Sequence, residues 1–422
     1  MKTIFIRSGY CLWTLIYSVL LLGCLTAPSS AQTKLGLQDA VRKALDSRAS
    51  LKAEQARISA AEGLEKQAHL FANPVFQFEN ENLRPGQTYS RDVDTYAFFT
   101  QPLDVLGKRK ERIDVAERAV GRTEAEYELA QRQVVQKVKL AYWAARGAQE
   151  NQDLLSATVA NFQRIVDYNS AQLSVGAISE QDLLRVQLEG ERLNITARLA
   201  SIEVTRTRIE LLRQMGQTDF VEVVLTEPLD EEEMALDRLE LQQVLDQRTE
   251  VKVARAALRE AEANSRLQDV LARPDLDLIY GFKRTQLVDA TSGVNTAVAG
   301  VRMTLPIMDR NQGNRAAAVA EVQRQEQLLA AAEANVRADY YSALQEYELR
   351  RTEVIQTLQP LRQHAANISQ IAQAAYVQGG TDLLRLLDAE RTRLEAGLAY
   401  VRGMVEYKQS IANLQAAEGV IK

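Results

Sequence analysis

Cysteine is nearly absent. Of 422 residues only Cys11 and Cys24 carry a thiol, and both fall within the first 31. Once that segment is removed, the chain has no disulfide and no thiolate chemistry. Histidine is as scarce, with His69 and His364 far apart in sequence, so no Cys/His metal cluster of recognisable spacing exists. No glycine-rich phosphate loop or nucleophile motif is present either, and an enzyme is left without a site. The chain also lacks basic excess. Its net charge is −5 and its pI about 5.5, which argues against nucleic acid as a partner. Aromatic residues make up only 6%, while Ala, Gln, Glu, Arg and Leu dominate, a composition that suits long coiled helices.

Proline is missing where it matters most. Between Pro102 and Gly176 there is none. From Val134 through Val138, Ala141, Ala145 and Ala148 to Phe162, Asn169 and Leu173, one stripe advances by alternating steps of four and three. That average of 3.5 is the period of helices that wrap around one another. At 1.5 Å per residue, a helix filling this stretch spans about 100 Å. No ordinary globular core needs that length.

The N-terminus reads as an export signal. Lys2 and Arg7 precede an apolar run from Cys11 to Ala27, and the first acid is Asp39. Ser29-Ser30-Ala31 offers small residues for cleavage before Gln32, giving a signal peptide over 1–31. Leu21-Leu22-Gly23-Cys24 offers an alternative, lipidation at Cys24, with Leu22 an unusual occupant of its place. The Ser-x-Ala exit is the better fit.

After the signal, Leu35 to Leu70 predicts one helix, ended by Asn73-Pro74. The period then changes to two. Phe76 and Phe78 alternate with Gln77, Glu79 and Glu81, and after an Arg84-Pro85-Gly86-Gln87 turn the extended pattern resumes at 95–101, with Tyr96 and Phe98 on one side. A long helix runs to a bend at Ser174–Ser179, a second returns to Met215, Gly216 stops it, and 220–225 suggests a short strand. Pro228 and the acids Asp230 to Glu233 read as a solvated connector.

The plan then repeats. Pro274 answers Pro74 at an offset of 200, Pro306 answers Pro102 at 204, and Gly379 answers Gly176 at 203. A helix over Leu239–Leu271, strands near 275–284 and 295–304 around a loop with Ser292-Gly293, a long helix and a return helix follow. The repeats are therefore 32–228 and 229–422, with hairpin tips at 174–182 and 377–388. They differ at Pro360, opposite Ala157, which predicts a kink in one hairpin. The fold class is mostly α with a small β part.

Four strands with one greasy and one wet face cannot seal themselves in lipid, where every edge must be paired. The smallest membrane barrels have about eight strands. Closure therefore calls for several chains, and three copies give a twelve-stranded β-barrel beneath a long antiparallel helical barrel. A soluble four-stranded sheet packed on the helices is the alternative.

The duplicated plan resembles the TolC-like outer-membrane efflux family over essentially all of the mature chain. The tip segments Gly176-Ala177-Ile178-Ser179 with Asp182-Leu183-Leu184, and Gly379-Gly380-Thr381-Asp382 with Leu386 to Arg391, carry the match. Asn73-Pro74 with Glu79 to Asn82, and Pro102 through Leu106-Gly107-Lys108-Arg109 to Arg112, are most similar to outer-membrane members of heavy-metal cation efflux systems. The resemblance implies a homotrimeric channel in the outer membrane of a Gram-negative-type cell, with its helices in the periplasm. Its implied partners are outer-membrane lipid, a periplasmic adaptor (membrane fusion) protein and an inner-membrane pump of the resistance-nodulation-division type. No cofactor is expected and no catalysis. Export of drugs or other small organic molecules is the alternative within the family. A periplasmic coiled-coil adaptor or scaffold is the alternative outside it, although an adaptor would carry one hairpin and more β structure.

By the same resemblance, Val175, Gly176, Ala177, Ile178, Gly379, Gly380 and Thr381 form the adaptor-docking tips. Asp182 corresponds to a position that latches the closed entrance and Asp388 to an acid lining the constriction. Arg385 stands where an acid is often found and Thr381 where the family has a latch arginine, so Asp182 pairing with Arg385 across neighbouring hairpins is the expected latch. Gln77, Glu79, Glu81, Asp275 and Asp277 are expected in the barrel lumen, where repeated carboxylates favour cations by field. His69, Met303 and Met308 are isolated in sequence and read as packing or surface, so no metal site is expected.

Overall fold

A computed structural model describes residues 33–86, 93–230, 239–285 and 293–420. The expected signal over 1–31 with Cys24, Gln87 in the first strand loop, Ser292 in the second, and Glu231 to Glu233 of the acidic connector lie outside the described residues.

Each repeat contributes two strands to a four-stranded sheet and a set of helices, and the first adds a separate strand pair. The first holds β1 (Thr33–Leu35), α1 (Leu37–Ser47), α2 (Ala49–Ala68), β2 (Val75–Glu81), β3 (Asp94–Leu103), α3 (Lys108–Ser174), α4 (Glu180–Gln214) and β4 (Val223–Leu225). The second holds α5 (Leu241–Gln247), α6 (Thr249–Leu271), β5 (Leu276–Thr285), β6 (Val294–Met303), α7 (Gln312–Glu353), a five-residue π turn (Val354–Leu358), α8 (Gln359–Val377) and α9 (Leu383–Glu418).

The 67 residues of α3 form one unbroken rod. Its four-three stripe is the buried seam, with Val134, Val138, Ala145, Ala148, Leu155, Phe162 and Asn169 all buried. Packing sets four columns side by side. The first is α2 above α4, the second α3, the third α6 above α9, and the fourth α7 continuing through the π turn into α8. The four-stranded antiparallel sheet keeps the same order, β2-β3-β5-β6. Sheet and helices therefore share two edges, one made of β2, α2 and α4, the other of β6, α7 and α8.

Two expectations need correction. The single helices expected over Leu35–Leu70 and Leu239–Leu271 are each broken, at Arg48 and Arg248, where the backbone turns extended (ψ 119° and 126°). Neither break has a proline or glycine to announce it. Ahead of α1, Thr33–Leu35 extends as β1, which pairs in parallel with β4, Leu35 opposite Leu225. The core gathers here, around Tyr142, Leu35, Leu211, Met215, Val244 and Leu414.

At Pro360 the helix stays continuous. Proline cannot donate to the ladder, and the turn before it widens so that the Gln359 amide donates to the Val354 carbonyl, five residues back. Such π turns absorb irregularity within a helix. Leu358 fits against Gly403 of α9, where an added Cβ would come within 2.2 Å of its Cδ1. Among the described residues no helix is long and apolar enough to cross a membrane.

Candidate functional site: the sheet faces and the hairpin tips

Register decides which side chains share a face, since cross-strand partners point the same way. Phe76 sits opposite Phe99, which sits opposite Tyr280; Phe78, Ala97 and Phe282 form the next row. The Phe76 and Phe99 ring centroids are 4.9 Å apart and those of Phe99 and Tyr280 5.6 Å. All of these rings are exposed, from 40% to 56%. With Leu278 and Val301 they make one sheet face apolar and open in the single chain.

The other face is polar. Gln77, Glu79, Glu81 and Asp277 share it with Tyr96, Phe98, Lys283 and Arg302. Tyr96 and Phe98 thus belong with the carboxylates, away from the greasy row. Gln77 donates to Glu79 at 2.6 Å, the Tyr96 hydroxyl donates to Glu81 at 2.8 Å, and Lys283 lies 4.7 Å above the Tyr96 ring. Asp277 is ion-paired with Arg302 at 2.9 Å. Asp275 precedes β5 and is paired with Lys108 at 2.7 Å. Of the five expected lumen residues, two carboxylates therefore already have a cation beside them.

Both tips are built alike. Gly176 and Gly379 take φ of +72° and +75°, a region glycine enters without penalty. The Ala177 amide then donates to the Gln172 carbonyl and the Gly380 amide to the Ala375 carbonyl, closing each helix with a Schellman turn. Val175 is 76% exposed at the first tip. Ile178 and Thr381 are half-buried, and Ala177 and Gly380 exposed.

Within the chain, Asp182 and Arg385 each serve their own helix. Ser179 accepts from the Asp182 amide at 3.2 Å while the Asp182 carboxylate accepts from the Ser179 amide and hydroxyl, a capping box that starts α4. Asp382 caps α9 by accepting from the Arg385 amide at 2.8 Å, and its carboxylate lies 3.7 Å from the Arg385 Nε. Asp382 was the residue to notice, as an aspartate just ahead of an apolar helical run. Asp388 lines a groove of about 450 Å³ between α4 and α9, with Leu188, Leu384, Arg185, Arg192 and Arg391.

Behind the tips, Tyr376 donates to the buried Asn169 at 2.6 Å, and desolvation raises its hydroxyl pKa. Further along, the buried Glu390 accepts from Ser369 at 2.6 Å, Asn161 at 3.3 Å and Arg393 at 3.1 Å, joining both hairpins. Sequence periodicity does not reveal these buried polar contacts. At the other end of the stem, where α2 meets the sheet, packing brings Glu65, His69 and Glu117 together. Met303 and Met308 are exposed.

The family model of outer membrane efflux proteins matches this chain twice, over residues 40–217 and 241–420. The cobalt-zinc-cadmium resistance protein CzcC of Cupriavidus metallidurans is 26% identical over 386 residues, covering 89% of this chain and 87% of its own length. Among solved structures, the outer-membrane channel OprN superposes with a TM-score of 0.75 at 20% identity, covering 91% of this chain and 89% of its own. The open state of the Neisseria gonorrhoeae MtrE outer membrane channel gives 0.74 at 19% identity, with coverages of 91% and 89%.

Proposed function

This chain belongs to the outer membrane efflux protein family, and from that premise we propose that three copies close into one channel exporting divalent heavy-metal cations. Members of the family are passive outer-membrane channels, not enzymes, and they work with a periplasmic adaptor and an inner-membrane pump. The finer reading rests on the shared edges of the single chain. An open sheet edge is not tolerated in lipid, so β6 of one copy pairs with β2 of the next, and α7 and α8 fall beside the neighbour's α2 and α4. Exposed apolar stripes support that seam. On α4, Leu184, Leu188, Ile195, Leu199, Ile202 and Ile209 recur at coiled-coil spacing and are exposed. Leu349, Ile355, Ile368 and Ile371 are exposed on the opposite edge.

In that assembly the aromatic face of the sheet meets lipid and the polar face lines the lumen. Glu79 and Glu81, repeated threefold, bias the lumen toward cations. The tips around Gly176 and Gly379 receive the adaptor, with the exposed Val175 offering apolar contact. Asp182, Arg385 and Asp388 form the gate, in which Arg385 exchanges Asp382 for the neighbouring hairpin's Asp182. The pump is of the resistance-nodulation-division type.

The relative CzcC is named for cobalt, zinc and cadmium resistance, which supports metal cations as cargo over organic molecules. A deletion strain tested against a panel of cations, drugs and dyes decides between them. Sensitivity to zinc, cobalt or cadmium is expected. Sensitivity confined to organic compounds would move the cargo to the other class.

A further inference from the structure

Glu65 in the last turn of α2 and His69, which caps that helix, stand one turn apart on the same face, and the neighbouring α3 brings Glu117 to them. One ligand-capable atom from each lies within 4.8 Å of the other two, and His69 Nε2 is 3.9 Å from the Glu65 carboxylate. We propose that this trio is a binding site for a divalent transition-type cation at the neck of the channel, where the stem joins the barrel. The proposal deepens the cation reading and depends on it for the ion's role as cargo, though not for the binding itself.

Three observations carry it. The first is donor chemistry. One imidazole nitrogen and two carboxylates suit Zn²⁺, Co²⁺ or Cd²⁺, whereas Mg²⁺ and Ca²⁺ favour oxygen alone. With the imidazole neutral, the trio holds two negative charges and no cation of its own. The second is spacing. Zinc bonds to nitrogen and oxygen of about 2.0–2.2 Å place tetrahedral ligands about 3.3–3.6 Å apart. Glu65, His69 and Glu117 are not buried, so small rotamer changes close the gap.

The third is support from behind. Arg109 donates from Nε and Nη2 to the His69 carbonyl at 3.0 and 2.6 Å. Arg112 donates to the carbonyls of Ala68 at 3.2 Å and Leu70 at 3.1 Å. These are the carbonyls a helix end leaves without partners. Both guanidinium groups clamp the end of α2 onto α3, Arg112 lying also 3.7 Å from Asp104 and Arg109 4.3 Å above the Phe71 ring. The backbone of His69 is thereby held beside α3 before any ion arrives, which lowers the ordering cost of binding.

Three protein ligands leave further positions to water, so the site binds reversibly and does not seal an ion in. A conduit needs such sites, strong enough to attract and weak enough to release.

The test is equilibrium dialysis of the untagged full-length protein in detergent, stripped with chelator and titrated with Zn²⁺ alone. One Zn²⁺ per chain is expected, undisturbed by excess Mg²⁺, with affinity falling at least about tenfold in both His69→Ala and Glu117→Gln. Glu65→Gln serves as a further variant should either fail to fold by circular dichroism. Equal Zn²⁺ binding by parent and variants overturns the site, as does no retention at about 1 mM, the limit of weak specific affinity. Dialysis judges the site alone, while the deletion strain's metal tolerance judges the cargo, so the two failures are distinguishable.

Discussion

Arg48 and Arg248, at equivalent helix breaks of the two repeats, clamp equivalent helix ends. Arg48 donates from Nη1 to the Gln214 carbonyl at the close of α4, and Arg248 donates from Nη1 to the Ala416 carbonyl near the close of α9. The glycine that follows each return helix, Gly216 or Gly419, takes a positive φ. An added Cβ would come within 3.0 Å of Arg48 Cα at the first and 3.3 Å of the Gln247 carbonyl carbon at the second. Each hairpin is thus tied to the base of its own repeat.

The two clamps are unequal, and their removal will differ. Arg248 is buried and also binds Glu250 at 2.9 and 3.0 Å. Arg248→Ala leaves an unpaired carbonyl and a lone carboxylate, costing about 2–3 kcal/mol. Among the described residues Arg48 pairs with no carboxylate, and Arg48→Ala costs about 1 kcal/mol. Urea denaturation followed by circular dichroism reads the difference, and equal losses would contradict it.

Gly281 fixes the β3–β5 pairing. A Cβ there would lie 2.1 Å from the Ala97 carbonyl oxygen and 2.8 Å from Phe98 Cα, both backbone atoms that cannot swing aside. Gly281→Val is expected to cost about 1–3 kcal/mol in the sheet and to reduce outer-membrane insertion while helical content stays. Insertion at the parental level would show that the strands are spaced more loosely.

Burial raises the pKa of the Glu418 carboxyl, a shift only partly opposed by the Leu239 amide, and its Oε1 has no partner. A carboxyl whose folded pKa is raised favours folding most when protonated, and that contribution is lost as pH climbs through the folded value. Glu418→Gln should therefore match the parent near pH 4 and exceed it in stability at pH 8. Denaturation midpoints at both pH values test this. A variant less stable at pH 8 would mean that the charge is compensated.

Selectivity should respond to net charge in the lumen. Glu79→Gln with Glu81→Gln removes two charges per chain and is expected to weaken cation preference. Asp277→Asn with Arg302→Gln removes a neutral pair and is expected to leave it unchanged. Reversal potentials in a planar bilayer under a salt gradient separate the cases, and a large shift from the neutral pair would refute the face assignment.

At the entrance, Asp182→Ala with Arg385→Ala should raise conductance, because the proposed latch across hairpins is lost. The capping box at Ser179 goes with it, at about 1 kcal/mol. Conductance no higher than the parent's would dismiss the latch.

Period and punctuation made much of this fold readable. The four-three stripe from Val134 to Leu173 is the buried seam of α3, and Phe76 and Phe78 do share a face opposite Gln77 and Glu79. What stayed hidden depends on distant partners. Nothing near Arg48 forbids a helix; the break makes sense only beside the carbonyl of Gln214. The pairing of Asp277 with Arg302 crosses from β5 to β6, so that sheet face is less acidic than its sequence suggests. His69 seemed solitary because Glu117, the third member of the trio, sits on another helix. The turn before Pro360 widens instead of breaking, since Gly403 leaves room for Leu358.

In the proposed channel one chain holds a third of the wall, with two raw edges that only further copies can cover. Light scattering on protein extracted from the outer membrane in mild detergent, corrected for bound detergent, measures this directly. A polypeptide mass of three chains is the predicted result. A single chain, stable and monodisperse in detergent, would contradict the account.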